Sequence, residues 1–187
     1  MILRVGIIGP TNMEKLTRLT GKPESFFEER AQHIGSTLAR SGAELWVNSD
    51  RGMLYNVASS YRENKGVKLV VLFPASGHPW PNAHAEAHVG YADEVMEEPS
   101  WFETNYKVVS EPDFCVCVGL SAGTLSELAY IKWNCQFQKG NLRRLYVVQE
   151  LVRGETLPLE IEEEVESVLK YVKTAEELEQ EIARDFS

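Results

Sequence analysis

The stretch PDFCVCVGLSAGTLSE, which spans residues 112–127, decides the fold. Its residues 114–118 form a short unbroken run of apolar and small side chains, which is typical of a strand covered on both faces in a parallel sheet. Gly119 and Gly123 then allow a tight turn and leave space beside the backbone. The stretch therefore predicts a buried strand, a turn of small residues and the start of a helix.

The start of this helix carries the first candidate site. Ser121 and Thr124 are good N-cap residues, and a helix N-terminus presents free N–H groups and a positive dipole end, which suit a phosphate. Glu127 follows one turn later, and we expect it to face the same opening as a candidate catalytic carboxylate. An alternative stays open, because residues 124–127 also form a capping box in which Glu127 only accepts a backbone N–H.

The composition is that of an ordinary soluble protein. The chain has 187 residues, of which 43% are hydrophobic, so we expect a single domain over residues 1–187. A net charge of −9 argues against a general nucleic-acid binder. No apolar run approaches the ~18 residues of a membrane span, no signal peptide is visible, and the thiols fit a reduced setting, so we expect a cytoplasmic protein. Cys115 and Cys117 are not expected to be nucleophiles, because burial in a strand raises the pKa of a thiol.

Apolar runs and cap residues predict alternating strands and helices joined by short connections, which indicates right-handed crossovers and a parallel sheet. The predicted strands are 3–8, 43–47, 67–73, 93–96, 114–118, 145–149 and 168–172. The predicted helices are 25–40, 53–63, 100–110, 122–137, 160–166 and 174–184. We expect a loop at 16–23 and an irregular segment at 75–92. The fold class is α/β, a Rossmann-like doubly wound and mainly parallel sheet with helices on both faces.

Five short segments together resemble one family. They are VGIIG at 5–9, DRGM at 50–53, LFP at 72–74, Asn105 ahead of Asp113, and GTLSE at 123–127. In order and spacing, residues 1–150 resemble the Lonely Guy-like proteins within the SLOG superfamily of Rossmann-like nucleotide-binding proteins. The resemblance implies a homodimer or larger homo-oligomer that holds a nucleotide. The positions implied to contact the nucleotide and its phosphate are Gly9, Gly52, Met53, Asn105, Gly119, Ser121, Gly123 and Thr124.

The sequence departs from the family pattern at several positions, of which two bear on catalysis. The family has Pro-Gly-Gly-x-Gly-Thr where this chain has GLSAGT at 119–124, and its active members have an arginine where this chain has Thr104. In those members, the arginine and the glutamate matched by Glu127 release the base from ribose 5-phosphate. Arg51 and Lys107 are candidate substitutes for the missing cation, although spacing supports neither.

The absent arginine leaves the function, and whether the protein is an enzyme, open between three hypotheses. The first is nucleotide binding at residues 119–124 with weak or no hydrolysis. The second is hydrolysis of the N-glycosidic bond of a nucleoside 5′-monophosphate through Glu127. The third is a molybdenum-cofactor carrier or a scaffold protein. Lysine decarboxylation is disfavoured, because nothing indicates a pyridoxal-phosphate lysine. We expect no resident cofactor.

The histidines form a weaker candidate. His84 and His88 would lie one turn apart on a helix with Glu86 between them, a spacing that suits metal ligands. No fourth ligand is evident, so we expect no metal and interpret the stretch as a loop at the edge of a pocket. The role of His78 stays open.

Aromatic side chains give two further alternatives. Trp80 and Trp101 have the chemistry to stack on a base, or they cover the core. Tyr130, Trp133 and Phe137 recur at helical spacing, which usually indicates core packing. The resemblance implies instead that this helix contributes to a dimer interface.

Overall fold

A computed structural model describes residues 2–75 and 83–186. Seven strands form one parallel sheet: β1 (Arg4–Ile8), β2 (Glu44–Asn48), β3 (Leu69–Pro74), β4 (Glu94–Glu98), β5 (Phe114–Cys117), β6 (Arg144–Val148) and β7 (Leu169–Val172). The helices between and after them are α1 (Met13–Thr20), α2 (Glu24–Arg40), α3 (Met53–Glu63), α4 (Ala83–Val89), α5 (Trp101–Ser110), α6 (Ala122–Phe137), α7 (Leu159–Val165) and α8 (Ala175–Phe186). The α/β Rossmann-like prediction is confirmed.

The order of the strands indicates the edge of the sheet at which a ligand would bind. The order is β4-β3-β2-β1-β5-β6-β7, so the chain winds outward in one direction from β1 and in the other from β5. These two strands are neighbours, with Ile8 opposite Cys117 at their carboxyl ends. Ligands of doubly wound sheets bind outside the carboxyl ends of the strands where the order reverses. A ligand is therefore expected beside the loops that follow β1 and β5.

Alternate residues of the central strands pack into separate cores, which explains their continuous apolar sequence. Val5 and Ile7 of β1 face a core that includes side chains of α2, α3 and α8. Cys115 and Cys117 of β5 face a second core that includes side chains of α5 and α6. Helices thus cover both faces of the sheet, as the sequence predicted.

Two sequence expectations are wrong. Residues predicted as a loop form α1, whose N-cap Asn12 accepts the N–H of Lys15 at 2.8 Å and whose C-cap Gly21 has φ of 74°. Leu16 is the one buried residue of this helix, so there was no apolar periodicity to detect. The segment predicted as irregular contains α4, a helix of seven residues. The predictions for His78 and Trp80 lie outside the described residues.

Candidate functional site

The loops after β1 and β5 lie in contact, and two glycines make this contact possible. A Cβ atom on Gly9 would lie 2.5 Å from Cγ2 of Val118. Gly119 has φ of +129°, and a Cβ on it would lie 3.0 Å from Cδ of Pro10. Side chains at either position would force the loops apart, so both glycines are needed for the close approach.

The N-terminus of α6 opens at this edge of the sheet. Ser121 is the N-cap, and its Oγ accepts the N–H of Thr124 at 3.1 Å. The N–H groups of Ala122 and Gly123 have no acceptor among the described residues, and both residues are exposed. A Cβ on Gly123 would meet only Ser121 Oγ, at 3.6 Å, so the space above this turn is free. Such a helix start suits an anion.

The turn after β2 supports the same edge. Gly52 has φ of +69°, and a Cβ there would lie 2.6 Å from the backbone oxygen of Thr11. The N–H of Met53 donates to the oxygen of Pro10 at 3.1 Å, and its side chain is buried in the core. Both residues therefore fix the β2–α3 turn against the β1–α1 loop. Their contact with a ligand stays a prediction.

Glu127 lies at the centre of a polar cluster that is buried at Glu127 and Asn48. Only 4% of the residue is exposed, and its Oε1 accepts a hydrogen bond from Nδ2 of Asn48 at 3.0 Å. The same Nδ2 donates to Oδ1 of Asn105 at 2.8 Å, and Nδ2 of Asn105 lies 3.4 Å from Oγ of Ser126. The cluster joins the end of β2 to α5 and α6. The capping-box interpretation is wrong, because Ser121 caps α6 and the Glu127 carboxyl bonds to another element.

Burial controls the ionisation of Glu127. Removal from water raises the pKa of its carboxyl well above the ordinary value, and the hydrogen bond from Asn48 lowers the pKa by a smaller amount. The carboxyl therefore favours its neutral, protonated form more than an exposed glutamate does. A group in this state serves as a hydrogen-bond donor or as a proton source.

Within the described residues, neither candidate substitute for the cation of the family pattern bonds to Asn105 or Glu127. Thr104 is buried and its Oγ1 donates to the oxygen of Trp101 at 3.1 Å. Lys107 forms an ion pair with Glu98. Arg51 is exposed and lines a cleft of about 400 Å³ with Asn12 and other residues of the β1–α1 and β2–α3 connections. Of the two candidates, only Arg51 is not paired with an acid within the described residues.

Sequence reasoning missed Asn48, although one signal was present. A polar residue ends the apolar run of β2, at the carboxyl edge of the sheet where ligands bind. The convergence of Asn48 with Asn105 and Glu127 depends on tertiary packing, since 57 and 79 residues separate it from these partners.

His88 and the two cysteines of β5 are the other candidates from the sequence. The ring of His88 stacks on Tyr55 with centroids 4.4 Å apart, and the described residues contain no cluster of three potential metal ligands. Burial raises the pKa of the Cys115 thiol and raises that of Cys117 to about 12, which agrees with the prediction that neither is a nucleophile.

Two of the three aromatic residues of α6 are exposed, whereas the core interpretation expected them to be buried. Trp133 and Phe137 are 46% and 59% exposed, and their rings stack with centroids 5.7 Å apart. Tyr130 is half-buried and packs edge-on against Tyr106 of α5. The core interpretation is wrong for Trp133 and Phe137, because α6 packs on the sheet through its other side, where Leu128 and Ile131 are buried. Among the described helices, none combines the length and the apolarity that a bilayer crossing requires.

No family model and no curated protein matches the sequence. Solved structures match the fold. The molybdenum cofactor binding protein of Rippkaea orientalis has a TM-score of 0.69 and 14% identity, over 100% of this chain and 99% of that chain. The molybdenum cofactor carrier protein of Chlamydomonas reinhardtii has a TM-score of 0.67 and 11% identity, over 98% of both chains.

A third neighbour extends the comparison to another kind of ligand. DNA processing protein A from Helicobacter pylori, which binds single-stranded DNA, has a TM-score of 0.63 and 16% identity, over 99% of this chain and 82% of that chain. At such identities a likeness shows the fold alone. The chain therefore shares its Rossmann-like fold with these proteins, and the Lonely Guy-like resemblance is not confirmed.

Proposed function

We propose that this protein binds a small molecule that carries a phosphate and an aromatic heterocycle, and that it hydrolyses this ligand weakly or not at all. One observation carries the proposal. The free N–H groups at the start of α6 lie at the sheet edge where the strand order reverses, one turn from the polar cluster of Glu127, Asn48 and Asn105. A phosphate on the helix start would place the rest of the ligand near that cluster.

The phosphate would be held mainly by backbone groups. The N–H groups of Ala122 and Gly123 supply donors, the hydroxyl of Ser121 lies beside them, and the dipole of a helix of 16 residues adds a positive potential. Gly119 and Gly9 keep the two loops close together beneath this site. Binding of this kind needs no cationic side chain, so the departure from the family pattern does not weaken it.

The same geometry argues against efficient hydrolysis. Breaking an N-glycosidic bond develops positive charge on the sugar, which an ionised carboxylate stabilises. Burial raises the pKa of Glu127 and so reduces its ionised fraction, and Thr104 supplies no cation beside it. A phosphoribohydrolase remains the alternative, with Arg51 as the cation.

A second candidate ligand is the molybdenum cofactor. Two of the structural neighbours are a carrier and a binding protein for this cofactor, and their likeness covers at least 98% of this chain. The cofactor also joins a phosphate to a heterocycle, so the same site would serve it. In this case the protein is a carrier, and the cofactor is its cargo.

The exposed aromatic surface of α5 and α6 supports a homodimer. We define it by Phe102, Tyr106, Trp133 and Phe137, each at least 39% exposed. A second copy of the chain presents the same aromatic surface, which is the usual arrangement in symmetric dimers. We also propose a cytoplasmic location. The absence of nucleic-acid binding stays a prediction from charge, because one neighbour of the same fold binds DNA.

The direct test measures binding of nucleoside 5′-monophosphates, ribose 5-phosphate and a pterin phosphate by thermal shift. A second assay measures whether the protein releases free base from the nucleotides. A ligand at a hundredfold excess over its Kd stabilises the folded state by roughly 2.7 kcal/mol. Stabilisation without base release supports the proposal. Rapid base release would replace it with the hydrolase, and the absence of any stabilisation would refute both.

A matched pair of variants locates the phosphate. Gly123→Asp places a carboxylate where the phosphate would bind, and the fold is retained because an acid in the first turn of a helix is favourable. Gly90→Asp makes the same change at an exposed glycine that precedes β4, at the amino ends of the strands. We expect Gly123→Asp to weaken binding at least about tenfold and Gly90→Asp to leave it unchanged. Equal effects would place the phosphate elsewhere.

A further inference from the structure

The carboxyl of Glu127 has one oxygen that is bonded and one that is free. Its Oε1 accepts the hydrogen bond from Nδ2 of Asn48 at 3.0 Å. Its Oε2 has no hydrogen-bond partner within the described residues, yet it is not one of the fully buried unpaired atoms, as Oδ1 of Asn48 is. Oε2 therefore keeps contact with solvent, although only 4% of the residue is exposed. A ligand has access to this oxygen.

The described residues place no unpaired charge beside this carboxyl. The strands β1, β2 and β3 carry no titratable side chain at their carboxyl ends. On α5, Lys107 is paired with Glu98. Cys115 and Cys117 of β5 interact with Glu127 electrostatically, but burial raises the pKa of the Cys115 thiol and raises that of Cys117 to about 12. Both thiols therefore stay uncharged near neutral pH, and no cation holds Glu127 in its ionised form.

The hydrogen bond from Asn48 determines which oxygen of the neutral acid carries the proton. Burial raises the pKa of the Glu127 carboxyl well above its ordinary value, which favours this neutral form. In a protonated carboxyl, one oxygen is a hydroxyl that donates and the other is a carbonyl that accepts. Since Oε1 accepts from Asn48, it is the carbonyl oxygen. The oxygen in contact with solvent is then the hydroxyl, which is a hydrogen-bond donor.

This donor lies close to the start of α6. Glu127 follows Gly123 by four residues, which is about 6 Å along the helix axis. Side chains of a helix lean towards its N-terminus, so the carboxyl points back towards the first turn. Its bond to Asn48, at the end of β2, places it at the same edge of the sheet. The part of a phosphate ester next to its phosphate would therefore pass beside Oε2.

We propose that Glu127 selects the ligand as a neutral acid, whose Oε2 hydroxyl donates a hydrogen bond to an oxygen of the carbon skeleton that carries the phosphate. The inference rests on the proposed function, because it concerns the next part of the same ligand. It favours esters whose skeleton bears hydroxyl or ether oxygens, as sugar phosphates do. Where Glu127 is ionised before binding, it takes up one proton from water as the ligand binds, so affinity falls as the pH rises.

The test compares Glu127→Gln with Glu127→Leu, because the first variant keeps a donor and the second removes it. The amide of a glutamine accepts through its oxygen and donates through its nitrogen, as the neutral acid does. The whole protein is titrated calorimetrically with ribose 5-phosphate at pH 6. We expect Glu127→Gln to bind within about threefold of wild type and Glu127→Leu to bind at least about tenfold more weakly.

Two results of this titration would overturn the inference. Equal affinities of Glu127→Gln and Glu127→Leu would show that residue 127 donates nothing to the ligand. A tenfold loss in Glu127→Gln would show that binding requires the ionised carboxylate.

The pH dependence has a sign that a merely structural role would not give. A phosphate ester itself titrates near pH 6, so the quantity to follow is the Kd of wild type divided by that of Glu127→Gln, in which this effect cancels. The ratio should rise between pH 6 and pH 9, approaching about tenfold per pH unit above the pKa of Glu127. A constant or falling ratio would contradict the neutral donor. Glu163→Gln, at an exposed glutamate of α7, is the matched control and should bind as wild type throughout.

A second measurement needs no variant, so it stands even if Glu127→Leu does not fold. Methyl phosphate carries the same phosphate on a skeleton without hydroxyl or ether oxygens. Wild type should bind ribose 5-phosphate at least about tenfold more tightly than methyl phosphate at pH 6, and this preference should shrink as the pH rises. A preference that is absent or independent of pH would overturn the inference and leave the phosphate site intact. Failure of both probes to bind would refute the proposed function itself.

Discussion

The two ends of α6 reverse the usual rule of burial in opposite ways. In its first two turns, Thr124 and Glu127 are polar and buried. In its last two turns, Trp133 and Phe137 are large, aromatic and exposed. Polar groups are normally left in water and aromatic groups removed from it. From these departures at both ends we propose two binding roles for α6, one for a small molecule and one for another chain.

Neither departure is explained by folding alone. Burial of a carboxyl is unfavourable unless its hydrogen bonds are complete, and only Oε1 of Glu127 is bonded within the described residues. Exposure of two stacked rings leaves apolar area in contact with water. Binding of a ligand at the first end and of a second copy at the other end would remove both costs.

The largest expected effect is at the aromatic end. The double variant Trp133→Ser and Phe137→Ser removes the two rings that we expect a second copy to bury, so it should convert a dimer to a monomer. Size-exclusion chromatography with light scattering measures the mass directly. Val67→Ser, at an apolar residue that is 54% exposed, is the control and should stay dimeric. A monomeric wild-type protein would contradict the dimer.

Two glycines at the carboxyl edge of the sheet, Gly52 and Gly123, sharpen the comparison, because packing requires a glycine only at the first. Gly52→Ala should destabilise the fold by about 2–4 kcal/mol, since φ is +69° and the new Cβ meets the backbone of Thr11. Gly123→Ala meets no such atom and should change stability by less than about 1 kcal/mol, towards stabilisation. Urea unfolding measures both. Similar losses at the two positions would show that the α6 turn is more crowded than its geometry indicates.

A smaller expected effect is the pH dependence of stability that Glu127 causes at the start of α6. The pKa of Glu127 is raised in the folded protein, whereas in the unfolded chain a glutamate titrates near pH 4.3. The folded state therefore binds the proton more tightly, and stability is lost as the pH rises from about 4.3 through the folded-state pKa. Glu127→Gln lacks this loss, so its stability relative to wild type should increase with pH.

The measurement is the free energy of unfolding in urea at several values between pH 5 and pH 8. Glu163→Gln, which changes an exposed glutamate of α7, is the matched control and should show no trend relative to wild type. A constant difference between Glu127→Gln and wild type over this range would show that Glu127 titrates normally. Its proposed neutral form would then be wrong.

The sequence predicted the fold because the strands are buried on both faces. Their apolar runs and the cap residues between them placed seven strands and six helices, with each end within two residues of the structure. The helix α1 was missed because Leu16 alone is buried, and α4 because it has only seven residues. A helix that is so short, or that buries a single residue, leaves little apolar periodicity in the sequence.

The candidate site was only partly predictable. Ser121 and Glu127 were found from residue types and spacing, but the choice between a cap and a buried carboxyl depended on which element approaches Glu127. Asn48 comes from a strand 79 residues earlier, and its role follows from a contact that no local pattern records. The exposure of Trp133 likewise depends on which side of α6 meets the sheet.

The central claim is that the start of α6 binds the phosphate of a small ligand. A crystal structure of the protein with a nucleoside 5′-monophosphate or a pterin phosphate tests it most directly. The account predicts phosphate oxygens within hydrogen-bond distance of the N–H groups of Ala122 and Gly123. A phosphate bound instead in the cleft beside Arg51 would contradict it.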